Sequence, residues 1–477
     1  MKNSFNSVLS EQKEREIRFR EVESHQNKIS DEKSNENHEK LFEELDLKVR
    51  LSYSGLISSD PEHQLKGIYS FKSFVEHGYY SHSIFREPDF YQALFNAAFQ
   101  NSLYFNIIEA SFDLISNLIR KNPAVISFFK DLGIVEKAIS FIKDNESMAL
   151  MEKVTFLLND MAEIDQDIYC SIIESGLIMR LLDILKEPHL PESNIYWILF
   201  FYQGLFTSQY FNDISCVPVL IEGACFGLPC VNIEIIALSY SIFACGLVSD
   251  TSFDIKEICM ASDKIEAANK LFDPAHNQLA CSIIEYFNNI VYISDICTIH
   301  VINTNIIDRI NTEFELLSLS LLENCLQLIS NITSSPLEAT EYIFHHAVFN
   351  MFPVVLKKGS NKAKKEIIII LSHVLFRIDI ETVLEKIIIL QILDSVIDMI
   401  YSDDDDLLFH LFHSFIYICS NATLNYQSNA SIVREKLSEN TIIDRIQDLF
   451  ISNNQRISSM SRSLFNILFN LHSADEN

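Results

Sequence analysis

The chain has 477 residues, with 37 Lys plus Arg against 65 Asp plus Glu and a formal net charge of −28. That balance repels nucleic acid and anionic membrane surfaces and attracts basic ligands. Only 10 Gly and 10 Pro accompany an apolar share of 48%, too few turn formers for a sandwich or propeller but enough apolar residues for a long buried core.

Residues 1–48 are rich in Glu, Lys, Asn, Ser and Gln and read as a flexible mixed-charge tail, extended or partly helical. The polar start, Met1 to Gln12, predicts no signal peptide. From Leu51 onward helical spacing hardly stops. Phe95 and Ala98, then Ile115 with Leu118 and Ile119, stand three and four apart, with Leu103 and Phe105 apolar between the two groups. Ile235 to Val248 is a low-charge stretch too short to span a bilayer; it predicts a buried helix and no membrane insertion. The run Ile367–Leu371 is β-branched except for its last residue, but it follows Lys364-Lys365-Glu366 in a helical pattern and also reads as a buried helix. Asp403–Asp406 lies between two apolar helices and lacks the spaced ligands and glycine of a calcium loop, so it reads as a charged connection. The ten cysteines stand singly, without a CxxC pair, and predict free thiols. No phosphate-binding Gly-rich loop, GxSxG or HExxH motif occurs. The sequence therefore predicts no catalytic residue, no cofactor and no metal: a binding protein and not an enzyme.

The organising feature is an internal period. A short breaker precedes an apolar helix at Gly133 and Gly176, 43 residues apart, and again at Ala347 and Ile389, 42 apart. The run Ile306-Ile-Asp-Arg-Ile310 returns as Ile442-Ile-Asp-Arg-Ile446. A repeat of about 40–47 residues with two or three helices marks armadillo or HEAT units. No such unit buries its apolar face alone; stacking builds one continuous core. The predicted fold is all-α, an armadillo-repeat right-handed superhelical solenoid over residues 49–475 with roughly eight to ten repeats.

Several collinear segments resemble the importin-α family. Ser59-Asp-Pro-Glu-His-Gln-Leu-Lys-Gly67 is similar to the start of that family's first repeat. Asp160-Met-Ala-Glu-Ile-Asp165 with Ile173-Glu-Ser-Gly-Leu-Ile178 resembles its third-to-fourth junction, and Ala237-Leu-Ser-Tyr240 its fifth repeat. Ser330-Asn-Ile-Thr333, Ala347–Leu356 and Lys364-Lys-Glu-Ile367 match the seventh and eighth in order. The resemblance implies a nuclear import adaptor, resident in cytoplasm and nucleus, that binds basic localisation signals of cargo proteins in a concave groove.

In that family the groove carries Trp-x-x-x-Asn pairs, four residues apart and so on one helix face. Asn clamps the ligand backbone, and Trp sandwiches lysine stems. The corresponding rungs here are Asp113 and Asn117, Phe156 and Asp160, Trp197 followed by Phe201, Ile236 and Tyr240, Glu285 and Asn289, Gln327 and Asn331, and Ile369 and His373. Asp113, Asn117, Phe156, Asp160, Trp197, Tyr240, Glu285, Asn289 and Asn331 are thereby the expected peptide-binding residues. Trp survives at one rung and Asn at about half. Arg15, Arg18 and Arg20 correspond to the basic segment that binds importin-β, here interleaved with Glu14, Glu16 and Glu21. Loss of most Trp rungs and of the dense basic clusters favours the alternative, an interaction scaffold of the same fold without transport function, while the collinear matches favour transport, the leading reading.

Overall fold

A computed structural model describes residues 32–100, 104–144, 147–211, 214–249, 252–422 and 429–469. Every regular element among them is a helix. The chain divides into two compact units, Met1–Ile164 and Asp165–Asn477.

Both units are built on long helices at a regular interval. In the first these are α1 (Pro61–Glu76), α2 (Phe105–Lys121) and α3 (Met148–Ile164). In the second they are α4 (Glu192–Thr207), α5 (Ile233–Val248), α6 (Asn277–Val291), α7 (Leu319–Ser334), α8 (Asn361–Arg377), α9 (Asp405–Ala422) and α10 (Gln455–Leu468). Consecutive members within a unit pack side by side as rungs of a ladder. Two shorter helices precede most rungs, as Gln166–Glu174 and Leu177–Leu185 precede α4. This is the three-helix armadillo-type unit, at the period of about 43 residues that the sequence predicts.

Local chemistry sets the starts. Asp60 accepts from the His63 amide ahead of Pro61, and Asn232, Ser318, Ser360 and Asn454 cap α5, α7, α8 and α10 in the same way. Gly133 and Gly176 turn the chain through left-handed backbone, with φ of 71° and 75°. Later repeats make this bend with Asn305 (φ 65°) and Gln391 (φ 56°), not at Ala347 or Ile389.

The core follows the predicted spacing. Phe95, Ala98, Ile115, Leu118 and Ile119 are buried, as are Ile367, Ile368, Ile370 and Leu371 of α8, while Phe105 is 45% exposed and Leu103 lies outside the described residues. α5 is the buried helix read at Ile235–Val248, although its last residue, Val248, is exposed. The acidic run at 403–406 is a helix start: Asp404 accepts from the Leu407 amide, and Lys365 of α8 bridges Asp404 and Asp406. A helix at Glu32–Leu56 packs on α1 and runs through the boundary predicted at residue 48; Val49 and Leu56 are buried. Arg15, Arg18 and Arg20 lie outside the described residues.

Candidate peptide-binding face

The first unit brings four predicted rung residues onto one surface. Asp113 and Asn117 project from α2, Phe156 and Asp160 from the adjacent α3, all partly exposed. With Lys72, Ser116, Arg120 and Lys153, the first three line a recess of about 260 Å³.

The carboxylates there already have partners. Asp113 takes Lys72 from α1 on one oxygen and Lys153 from α3 on the other, each at 3.1 Å. Arg120 grips Asp160 with Nε 2.9 Å from both carboxylate oxygens. Burial pushes the Asp160 carboxyl above the usual range, with Arg120 and a Ser116 hydrogen bond opposing it. Burial acts against the Lys153 ammonium, yet Asp113, Glu109 and Glu152 hold it above an ordinary lysine. The Asn117 amide, by contrast, makes no hydrogen bond among the described residues, and it faces the recess. It is free to clamp a peptide backbone, whereas the acidic groups expected to attract a basic ligand are neutralised by the protein's own cations.

Sequence reasoning missed Lys72, Arg120 and Lys153. A signal was present: Lys72 and Asp113 are 41 residues apart, Asp113 and Lys153 40, Arg120 and Asp160 40. Opposite charges one repeat apart on successive rungs meet across the ladder.

In the second unit two rung assignments need correction. Trp197 and Tyr240 are both 0% exposed and lie in the core, so neither offers a surface to a ligand. On α4 the residues packed inward are Trp197, Ile198, Leu199, Phe201 and Tyr202; the accessible side carries Tyr196 and Phe200, stacked with centroids 6.2 Å apart. The Tyr240 hydroxyl donates to the Lys264 carbonyl at 3.1 Å, and its ring lies 5.2 Å from Tyr286.

Glu285, Asn289 and Asn331 do reach the surface. Burial of its surroundings pushes the Glu285 carboxyl up although the residue itself is exposed. The two amides tie rungs together: Asn289 donates to the Ala244 carbonyl at 2.9 Å, Asn331 donates to Asn288 at 2.8 Å and accepts from Tyr292 at 3.1 Å. His373 is half-buried beside Thr333, and burial, with His410 and Arg377 nearby, lowers its pKa to about 4. The described cysteines are free thiols, and burial raises several, Cys245 and Cys259 to about 12.

No protein-family model matches the chain, and no curated protein matches it in sequence. Among solved structures, an engineered protein superposes with a TM-score of 0.65 at 12% identity, covering 88% of this chain and 99% of its own. A designed armadillo repeat protein gives a TM-score of 0.43 at 12% identity, over 51% of this chain and 98% of its own. Another, described in complex with the peptide (KR)4, gives 0.43 at 13% identity over the same shares. At such identities a likeness concerns fold alone.

Proposed function

We propose that the chain is a non-enzymatic interaction scaffold that holds an extended segment of a partner protein against its long-helix ladder. The observation that carries this is the recess on α2 and α3. There an unspent Asn117 amide stands beside the exposed part of Phe156, the pairing of backbone clamp and apolar platform that an extended peptide needs. Residence in cytoplasm and nucleus belongs to the narrower reading, an import adaptor that passes basic cargo to importin-β through the segment holding Arg15, Arg18 and Arg20. Collinear resemblance to the importin-α family supports that reading. It requires a basic signal to displace Lys72 and Lys153 from Asp113 or Arg120 from Asp160, and each displacement costs an existing ion pair.

The test is binding of the full chain to labelled extended peptides, among them a Lys/Arg-rich localisation sequence and its scrambled control, at low and physiological salt. Binding that depends on peptide order and weakens on Asn117→Ala supports the scaffold. Order-dependent preference for the localisation sequence at physiological salt supports import. Equal binding of both that vanishes with salt is charge attraction alone and removes the import reading.

A further inference from the structure

The last three rungs carry a surface that the family pattern does not describe. Phe376 stands in the last turn of α8, 36% exposed. Its ring centroid lies 4.4 Å from His413 and 4.8 Å from Tyr417, both on α9. His413 stacks in turn with Phe409, centroids 5.8 Å apart and planes within 14°. Arg456 of α10 lies over the Phe409 ring at 3.5 Å. The result is a row of planar groups across three adjacent helices, with His413 and Arg456 exposed and Phe409 and Tyr417 half-buried.

Charge gives the row a sign. Arg456 has no carboxylate partner among the described residues. Arg377, next to Phe376, spends its guanidinium on the Ser334 and Ser335 carbonyls and the Thr340 hydroxyl beside the end of α7. The carboxylates nearby each have a partner: Lys365 for Asp404 and Asp406, a Ser330 hydrogen bond for Glu366, and the Asn454 side-chain amide, at 2.9 Å, for Asp405. In a chain of net charge −28, this face presents one guanidinium without a carboxylate partner among the described residues, that of Arg456, beside open aromatic surface. A guanidinium stacked on a ring keeps its in-plane N–H groups free for bidentate capture of a carboxylate. Planar rings at the surface favour aromatic side chains in the ligand.

We propose that the face of α8, α9 and α10 formed by Phe376, His413, Tyr417, Phe409 and Arg456 docks an acidic segment of a partner protein that also carries aromatic residues. The inference rests on the scaffold reading above and assigns the partner class for this end of the ladder, opposite in sign to the basic ligands that net charge alone suggests.

The experiment is fluorescence anisotropy of the full chain with three labelled peptides of equal length: Asp/Glu with Phe and Tyr, Asp/Glu with Ser in place of the aromatics, and Lys/Arg-rich. The acidic aromatic peptide should bind at least tenfold tighter than either other and weaken with salt. Arg456→Glu should cost it tenfold or more, Arg456→Lys less, and Phe376→Ser about tenfold, with helical circular dichroism and melting unchanged. Because Arg456 is exposed, its substitution reports binding without disturbing the core. The proposal falls if the acidic aromatic peptide binds no better than the others, or if its binding ignores both positions. If no peptide of any class binds, the scaffold reading falls as well; if peptides bind but the acidic ones do not, only this inference falls.

Discussion

Trp197 shows why some side chains were placed wrongly from sequence. It sits in Ile195-Tyr-Trp-Ile-Leu-Phe-Phe-Tyr202, where no polar residue marks which side of the helix meets water. A family register put Trp197 in the groove; packing turns Tyr196 and Phe200 outward instead. The exposure of Asp113 and Asn117 was legible because polar residues on an apolar helix mark its outer side. We expect Trp197→Ala to cost about 3–5 kcal/mol by leaving a core cavity, seen as a lower urea midpoint. Trp197→Phe should cost far less, since the indole N–H has no hydrogen-bond partner among the described residues. A peptide-affinity loss with unchanged stability would return this residue to the groove.

Backbone turns tell a similar story. Glycine announces the bends at Gly133 and Gly176, but Gln391 occupies left-handed backbone without any such mark. Its strain is on the order of 1–2 kcal/mol, partly offset in a glycine variant by added unfolded-state freedom. Gln391→Gly should therefore raise stability by about 0.5–1 kcal/mol in chemical denaturation; a loss would mean that the side chain makes a compensating contact. His373 gives a pH signature. Its folded pKa of about 4 lies below the unfolded value of 6.5, so the unfolded chain takes up a proton first as pH falls. Its contribution is complete above about pH 6.5 and lost progressively toward pH 4. Urea midpoints across that window should fall more steeply for the native chain than for His373→Gln.

Among the elements, the pairing of α1 with the preceding helix is the most sensitive to one atom. A Cβ on Gly67 would stand 2.4 Å from the Leu56 amide nitrogen and 2.7 Å from the Ser52 carbonyl oxygen, both main chain and unable to swing away. Gly67→Ala should destabilise by about 3 kcal/mol or more, as overpacking does, lowering the melting temperature of the first unit; an unchanged melt would mean the helices separate freely. Helix existence was readable throughout: apolar spacing of three and four marks most rungs, α4 and α5 are long apolar runs, and Ser, Asn or Asp caps mark several starts. The ties between rungs were harder to read. They join residues about 40 positions apart, which no local window connects.

For the molecule as a whole, 65 acidic against 37 basic residues predict self-repulsion that salt relieves. Exposed ion pairs such as Lys186–Glu222 are each worth little. The melting temperature should therefore rise between about 20 and 300 mM NaCl, screening acting on a Debye length of roughly 20 down to 6 Å; a fall would mean that the paired charges outweigh the repulsion. The all-α repeat was legible from composition and period, while the local charge of each exposed face was not. Net charge describes the whole exterior, and neutralisation at Asp113 and Asp160 depends on which rungs touch.

The cross-rung ties share one more property. Lys72 to Asp113, Asp113 to Lys153, Glu192 to Val231, Asn331 to Asn288 and Lys365 to Asp404 all reach one repeat along the chain and no further. Removing or duplicating a whole repeat would thus sever bonds only at the seam and bring together two surfaces of the same general design. Removing half a repeat would strand partners on both sides. Descent with change of length is therefore cheap in whole repeats and costly in fractions, which lets such a ladder lengthen or shorten while the exposed side of each rung drifts independently.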